Sequence, residues 1–353
     1  SYITHPATET GLLVHADFRQ VSRQVQQGNE AAPLVYTPLP MQEQLPSIDD
    51  DAAVGPTHPD WSDKASDAFP FLVPPAYRQK IADGANPQAL LRQVLPVAEE
   101  LADSPGYSKN PLAEYPGKAH GLIEKYRGRL LVMVTQACAG HCRFCFRRHM
   151  LDSPNQQELV QAAFRQRMAR RGDITEVILS GGDPLVVSDR KLASWIELIS
   201  SYPQVRRIRI HSREPVFSPE RFTPERLDIL RQSPLPVILA VHVNHADELD
   251  GETAGALQGL REAGVMLLTQ TVLLRGVNDS LESLIALFER SVDCGLVPYY
   301  LHQLDRVAGA AHFEVDSERG LELVNALRDL LPGYMVPRFV RELPGAASKT
   351  PLG

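Results

Sequence analysis

The chain has few cysteines, no long apolar run and no surplus of positive charge. Only four of its 353 residues are cysteine, and Cys138, Cys142 and Cys145 share one short segment while Cys294 stands apart. A secreted disulfide framework spreads its cysteines, so this clustering points to metal binding in a reducing compartment. The longest central apolar run, Leu130 to Val134, has the length of a strand and is far too short to span a bilayer. Near Ser1, Pro6, Asp17 and Arg19 interrupt any apolar core, so no signal peptide is expected and the cytoplasm is the default compartment. A formal net charge of −7 removes the electrostatic case for bulk nucleic-acid or membrane binding, although Arg147-Arg148 can hold a small anion. What is present is ordinary for a globular protein: 43% hydrophobic and 22% charged residues, in a chain long enough for one large barrel or sheet domain plus an appendage.

The texture changes along the chain. Residues 1–66 are rich in Pro, Gln and Asp, with little periodicity after Val25, and read as an extended arm that packs on the body or on a second copy in a homo-oligomer. Residues 67–128 hold short amphipathic pieces such as Pro87 to Val94, broken by prolines, and read as a helical preface. The main domain, 129–353, alternates. Strand-like runs at 130–135, 176–180, 207–211, 237–243, 265–272 and 297–301 are separated by helical patterns at 156–170, 190–200, 224–232, 252–262, 281–292 and 317–331. A spacing of roughly 30 residues between strand starts is that of βα units in a parallel sheet. Six units predict an α/β fold, a partial (βα)6 version of the TIM barrel; a flat doubly wound sheet is the competitor.

The position of the polar residues favours the barrel. They follow the apolar runs: Cys138 to Arg148, Gly181-Gly182-Asp183, His211-Ser212-Arg213, His242 to His245, Gln270, and His302 to Asp305. In a parallel barrel these positions share one rim, where catalytic groups sit.

The sharpest local signal is Cys138-Ala-Gly-His-Cys142-Arg-Phe-Cys145. Its spacing puts three thiolates on one tight loop, and thiolates suit both iron–sulfur clusters and zinc. A closed structural zinc site wants four ligands, which His141 or His149 could complete, so spacing alone leaves both open.

The longer run CAGHCRFCFRRH, with Phe144 before the last cysteine, resembles the lysine 2,3-aminomutase family of the radical S-adenosylmethionine superfamily. Its short bacterial branch, which forms (R)-β-lysine for modification of elongation factor P, is most similar. The likeness covers most of residues 67–353. It includes LLRQVLP at 90–96, SGGDPL at 180–185, RIRIHSREPV at 207–216, HVNHADELD at 242–250, TQTVLLRGVND at 269–279, PYYLHQLDRVAGAAHF at 298–313 and SKTPL at 348–352.

The resemblance implies cofactors and roles. Cys138, Cys142 and Cys145 would hold three irons of a [4Fe–4S] cluster, leaving the fourth for S-adenosylmethionine. Gly181, Gly182 and Asp183, followed by His242 and Gln270, would flank that ligand; glycines lack a Cβ and allow close approach, and Asp183 stands where the superfamily more often has Glu. Lys349, which read blind is a solvated tail lysine, would carry pyridoxal 5′-phosphate covalently, with Lys125, Tyr126 and Arg129 toward its phosphate. That requires the tail to fold back across the barrel mouth. Arg147 would take the substrate carboxylate, while Asp305 and Glu342 would receive the distal ammonium of L-lysine. The chain lacks the extra cysteines with which the longer members bind zinc, so no such zinc is expected, and Cys294 reads as a buried thiol. The implied activity is an isomerase supplied with electrons by a protein such as flavodoxin or ferredoxin, linked only indirectly to elongation factor P. Its rivals are an aminomutase for another amino acid or for free β-lysine in other metabolism, and a non-catalytic cluster- or zinc-binding regulatory protein.

Overall fold

The structure, a computed structural model, describes residues 54–114, 121–150 and 157–353. Most of the proposed arm, residues 1–53, lies outside the described residues. Its last part packs inward: Val54 and Ala65 are buried. Three short helices follow, α1 (Asp63–Ala68), α2 (Pro75–Asp83) and α3 (Pro87–Arg92). The last two begin on proline, whose missing N–H costs nothing in a first helical turn.

The remainder is one nine-stranded sheet in simple sequence order. β1 (Leu122–Ile123) runs antiparallel to β2 (Arg129–Thr135). From β2 the chain repeats strand and helix: α4 (Gln157–Arg170), β3 (Glu176–Gly181), α5 (Asp189–Ser200), β4 (Arg207–Ser212), then α6 (Glu214–Phe217) and α7 (Pro224–Arg231). It continues with β5 (Val237–His242), α8 (Gly251–Glu262), β6 (Met266–Val272), α9 (Leu281–Asp293), β7 (Val297–His302), α10 (Ser317–Leu330) and β8 (Arg338–Arg341). Strands β2 to β8 are all parallel; β9 (Thr350–Pro351) closes the order, antiparallel to β8. These are six βα units and a seventh parallel strand, the incomplete barrel expected from the spacing.

Local chemistry explains the helix starts. Thr223, Asp250 and Ser280 each cap a helix by accepting a backbone N–H from Arg226, Thr253 and Ser283. Such caps are typically worth about 1 kcal/mol.

Strand alternation then divides the molecule. One face presents Val177, Leu179, Ile208, Ile210, Leu239, Val241, Leu301 and Phe339 to the helices, where they are buried with Trp195, Leu257, Leu284, Phe288 and Leu327. Full burial of such side chains contributes about 1.5–3 kcal/mol each. The residues between them on the same strands, Ile178, Ser180, Arg209, His211, Ile238, His242, Leu268, Gln270, Tyr300 and His302, line a central cavity. Packing thus lies outside the sheet and chemistry inside it. Among the described residues, no helix is long and apolar enough to cross a membrane.

Candidate active site

The cavity measures about 980 Å³. It is lined by every residue to which the resemblance gave a role in binding or catalysis: Cys138, Cys142, Cys145, Arg147, Gly181, Gly182, Asp183, His242, Gln270, Asp305, Glu342, Lys349, Lys125, Tyr126 and Arg129.

The cysteine loop leaves the end of β2 and is pinned from behind. The N–H of His141 donates to Leu72 O and that of Arg143 to Gln93 O, both at 2.8 Å. Arg143 is wholly buried and forms an ion pair with Glu100 at 2.7 Å; Arg148 pairs with the same carboxylate, and both guanidinium groups lie over the Phe69 ring. The loop's basic residues therefore anchor it, leaving the three half-buried thiols toward the cavity. Burial pushes all three thiols up, Cys145 to about 11, while the nearby Arg213 cation opposes the rise at Cys142. Thiols so placed lose their protons readily only to a bound metal.

At the end of β3 the glycines answer a steric demand of the fold itself. Gly181 has φ +119°, and a Cβ there would lie 2.2 Å from Thr135 O; a Cβ on Gly182 would lie 2.3 Å from Ala137 O. The missing side chains make room for the adjoining backbone at the root of the cysteine loop. Asp183 is equally committed to the frame. Its carboxylate accepts the N–H of Leu185, Arg213 and Glu214 and the hydroxyl of Ser212, tying β3 to β4.

His242 and Gln270 are register partners on β5 and β6, so their side chains share the cavity face. Burial, followed by the positive charges of Arg213, Arg147 and Lys349, holds His242 down at about 3, and burial lowers His211 as well. Both rings are neutral near pH 7. The Nε2 atoms of His211 and His242 are buried without a hydrogen-bond partner among the described residues.

The opposite wall is ionic. Pairing of Arg341 with Thr350 and Val340 with Pro351 folds the tail back and leaves Lys349 just before β9, its side chain 13% exposed. Its Nζ lies 3.0 Å from Glu342 Oε2, 3.4 Å from His302 Nε2 and 5.3 Å from the Tyr300 ring centroid. Glu342 also receives Lys125 at 2.7 Å and the Tyr126 hydroxyl at 2.9 Å, and Arg129 lies over the Tyr126 ring. Lys125 and Tyr126 follow β1, one edge of the sheet, whereas Glu342 and Lys349 flank the β8–β9 edge. Contact between the two edges shows that the sheet curls into an incomplete barrel.

Two acids behave oppositely there. Burial alone would raise Glu342, but Lys349 and Lys125 hold it down to about 2. Asp305, in contrast, has no hydrogen bond or ion pair from its carboxylate among the described residues; burial and then the charge of Glu342 push it up to about 7. Arg147 meets a residue that the sequence did not mark. Its Nε and Nη2 donate to Glu114 Oε2 at 3.1 and 2.8 Å, and its Nη1 to Ser180 Oγ and Gly181 O. Glu114 also reaches Lys125 at 3.3 Å. Arg213 and Glu248, both buried beside the cysteine loop, stand in segments the sequence noted but were given no role there. Glu114 sits in a proline-broken stretch without periodicity, whereas Arg213 was signalled by its place after a strand and by the RIRIHSREPV run.

An incomplete parallel barrel with a three-cysteine loop on its inner rim defines a radical S-adenosylmethionine enzyme, and residues 132–288 match the family model described as the radical SAM superfamily. A radical SAM methyltransferase from Sphaerobacter thermophilus aligns with TM-score 0.45 and 23% identity over 62% of this chain and 68% of its own. Among curated proteins, the L-lysine 2,3-aminomutase of Escherichia coli K12 is 40% identical over 290 residues, 82% of this chain and 84% of that protein. Its namesake from Haemophilus influenzae is 39% identical over 285 residues, 80% of this chain and 84% of that protein. The chain belongs to the lysine 2,3-aminomutase family and is an isomerase.

Proposed function

We propose that this enzyme converts L-lysine to β-lysine by moving its α-amino nitrogen to C3, with the (R) product serving the modification of elongation factor P. The observation that carries the reading is the meeting, in one cavity, of three thiols, the Lys349 amine, the Arg147 guanidinium and the Asp305 carboxylate, which has no partner among the described residues.

The residues suit the groups that the reading requires. Three thiols are the donor set of an iron–sulfur cluster with one open site, so Cys138, Cys142 and Cys145 would hold it. The Nε2 atoms of His211 and His242, without a partner among the described residues, and Gln270 beside them would offer polar contacts to S-adenosylmethionine. Lys349 is a shielded amine among further cations, which suits pyridoxal phosphate, with Lys125, Tyr126 and Arg129 toward its phosphate. When bound, the cluster and S-adenosylmethionine supply a radical that removes hydrogen from carbon, and pyridoxal phosphate supplies the electron sink through which nitrogen migrates.

The chain's own groups bind and orient. Arg147 presents two parallel donors that match a carboxylate, and the substrate would take the place Glu114 now holds. Asp305 receives the distal ammonium. Glu342, now shared by Lys349 and Lys125, would assist when Lys349 is drawn away to the cofactor. Neutral His302, lowered by burial and by Lys349, can accept a hydrogen bond at Nε2 from that amine, 3.4 Å away, and so orient it. Anaerobic incubation of reconstituted, reduced protein with L-lysine, followed by chiral analysis, tests the reading. (R)-β-lysine is the expected product, and comparable turnover of L-glutamate would overturn the lysine assignment.

A further inference from the structure

Arg213 follows β4 and has its side chain 5% exposed. Its Nη1 donates to Cys142 Sγ at 2.8 Å. Its Nη2 meets Gln93 Oε1 at 2.6 Å and forms an ion pair with Glu248, whose side chain is fully buried. Three rings surround the guanidinium, with centroids 4.6 Å (Phe217), 5.5 Å (Phe144) and 5.6 Å (Tyr77) from its central carbon. Glu248 is itself fixed, accepting the N–H of Asn244 at 2.6 Å, that of His245 at 3.2 Å and the Tyr77 hydroxyl at 2.8 Å.

A charge locked in this way has one direction in which it can act. The cysteine loop does not depend on it for its shape, because Glu100, Arg143 and the backbone bonds to Leu72 and Gln93 already hold that loop. The proposed function gives Arg213 no task. Its remaining contact is with a sulfur atom, and hydrogen bonds and charge at ligand sulfurs are levers on an iron–sulfur cluster's potential.

We propose that Arg213 is a positioning residue that, balanced by Glu248, sets the reduction potential of the cluster through Cys142. The inference rests on the reading that Cys142 ligates iron. Reduction adds one electron to the cluster, so a cation at a ligand sulfur favours the reduced form and a carboxylate behind it opposes that effect. The two members of the ion pair therefore act with opposite sign, which separates an electrostatic role from a structural one.

The experiment uses the full chain reconstituted anaerobically with iron and sulfide. It is titrated with dithionite and mediators, and the electron paramagnetic resonance signal of the reduced cluster is followed. Arg213→Gln should disfavour reduction at least about tenfold, which for one electron is about 59 mV in the negative direction. Arg213→Lys should recover most of that change, and Glu248→Gln should shift the potential the other way. An unchanged potential in Arg213→Gln would overturn the proposal, as would a shift of the same sign in Glu248→Gln. Should Arg213→Gln fail to fold, the signs of the Arg213→Lys and Glu248→Gln shifts decide alone. An unmodified protein that takes up no cluster would overturn the ligand reading itself, and with it this inference.

Discussion

Replacing Asp305 by asparagine should stabilise the ligand-free protein at alkaline pH while damaging its activity. The carboxyl is pushed by burial, and secondarily by Glu342, from an ordinary 3.8 to about 7. Holding its charge in the empty cavity therefore costs roughly 4 kcal/mol at full ionisation. The sign follows from proton uptake: between about pH 4 and pH 7 the folded protein keeps a proton that the unfolded chain has released. The folded state therefore loses stability as pH rises through that window, and the whole penalty is present above it. Asparagine carries no such charge. Relaxation around a cavity-facing group reduces the gain, so Asp305→Asn should be about 1–2 kcal/mol more stable than the unmodified protein near pH 8. The two should be nearly equal near pH 4. Thermal melts across that range, without lysine, give the difference directly as a Tm gap that widens with pH. Turnover moves oppositely, because the ammonium loses a charged partner worth about 1.5–3 kcal/mol; kcat/KM for lysine should fall at least about tenfold. A Tm gap that is independent of pH, or an Asp305→Asn protein with undiminished kcat/KM, would refute the reasoning.

Lysine binding should release protons near pH 7, since an ammonium beside Asp305 returns that acid toward its ordinary range; calorimetric titration in two buffers of different ionisation enthalpy measures the number. Cys142→Ala, reconstituted anaerobically, should lose the broad iron–sulfur absorption, and retention of a full cluster would defeat the ligand assignment. Borohydride reduction of protein loaded with pyridoxal phosphate should label the C-terminal peptide at Lys349; a label on Lys125 would show that the neighbouring amine is the one that reacts. Glu100→Gln removes the carboxylate shared by the buried Arg143 and Arg148. Breaking such a pair typically costs about 3–5 kcal/mol, so lower thermal stability should accompany weaker retention of iron.

The repeating units were legible because each strand must satisfy two demands at once. Val177 and Leu179 must be apolar to meet the helices, whereas Ser180 and Gly181 terminate the run where the cavity opens. That contrast marks both the strand and its functional end, and predicted strand limits fall within about two residues of those observed. The closing elements carry no comparable signal. β1 and β9 are two residues each, and β8 is four, too short for any periodicity. They exist because partners distant in sequence offer them a ladder, yet they position Lys125, Glu342 and Lys349. The ionic partners were hidden for the same reason: Glu114 meets Arg147 across 33 positions, and Arg213 meets Cys142 across 71. A charged residue in a loop looks solvated until the fold brings its counter-charge. Here the fold does so at the gap in the barrel, where an edge without a neighbouring strand must be closed by side chains. The ion cluster of Glu114, Lys125, Glu342 and Lys349 performs that closure, so the groups that join the barrel's two edges are the same ones that shape the proposed binding site. Substitutions there should alter stability and substrate binding together, whereas substitutions on the outer face of the same strands should alter stability alone.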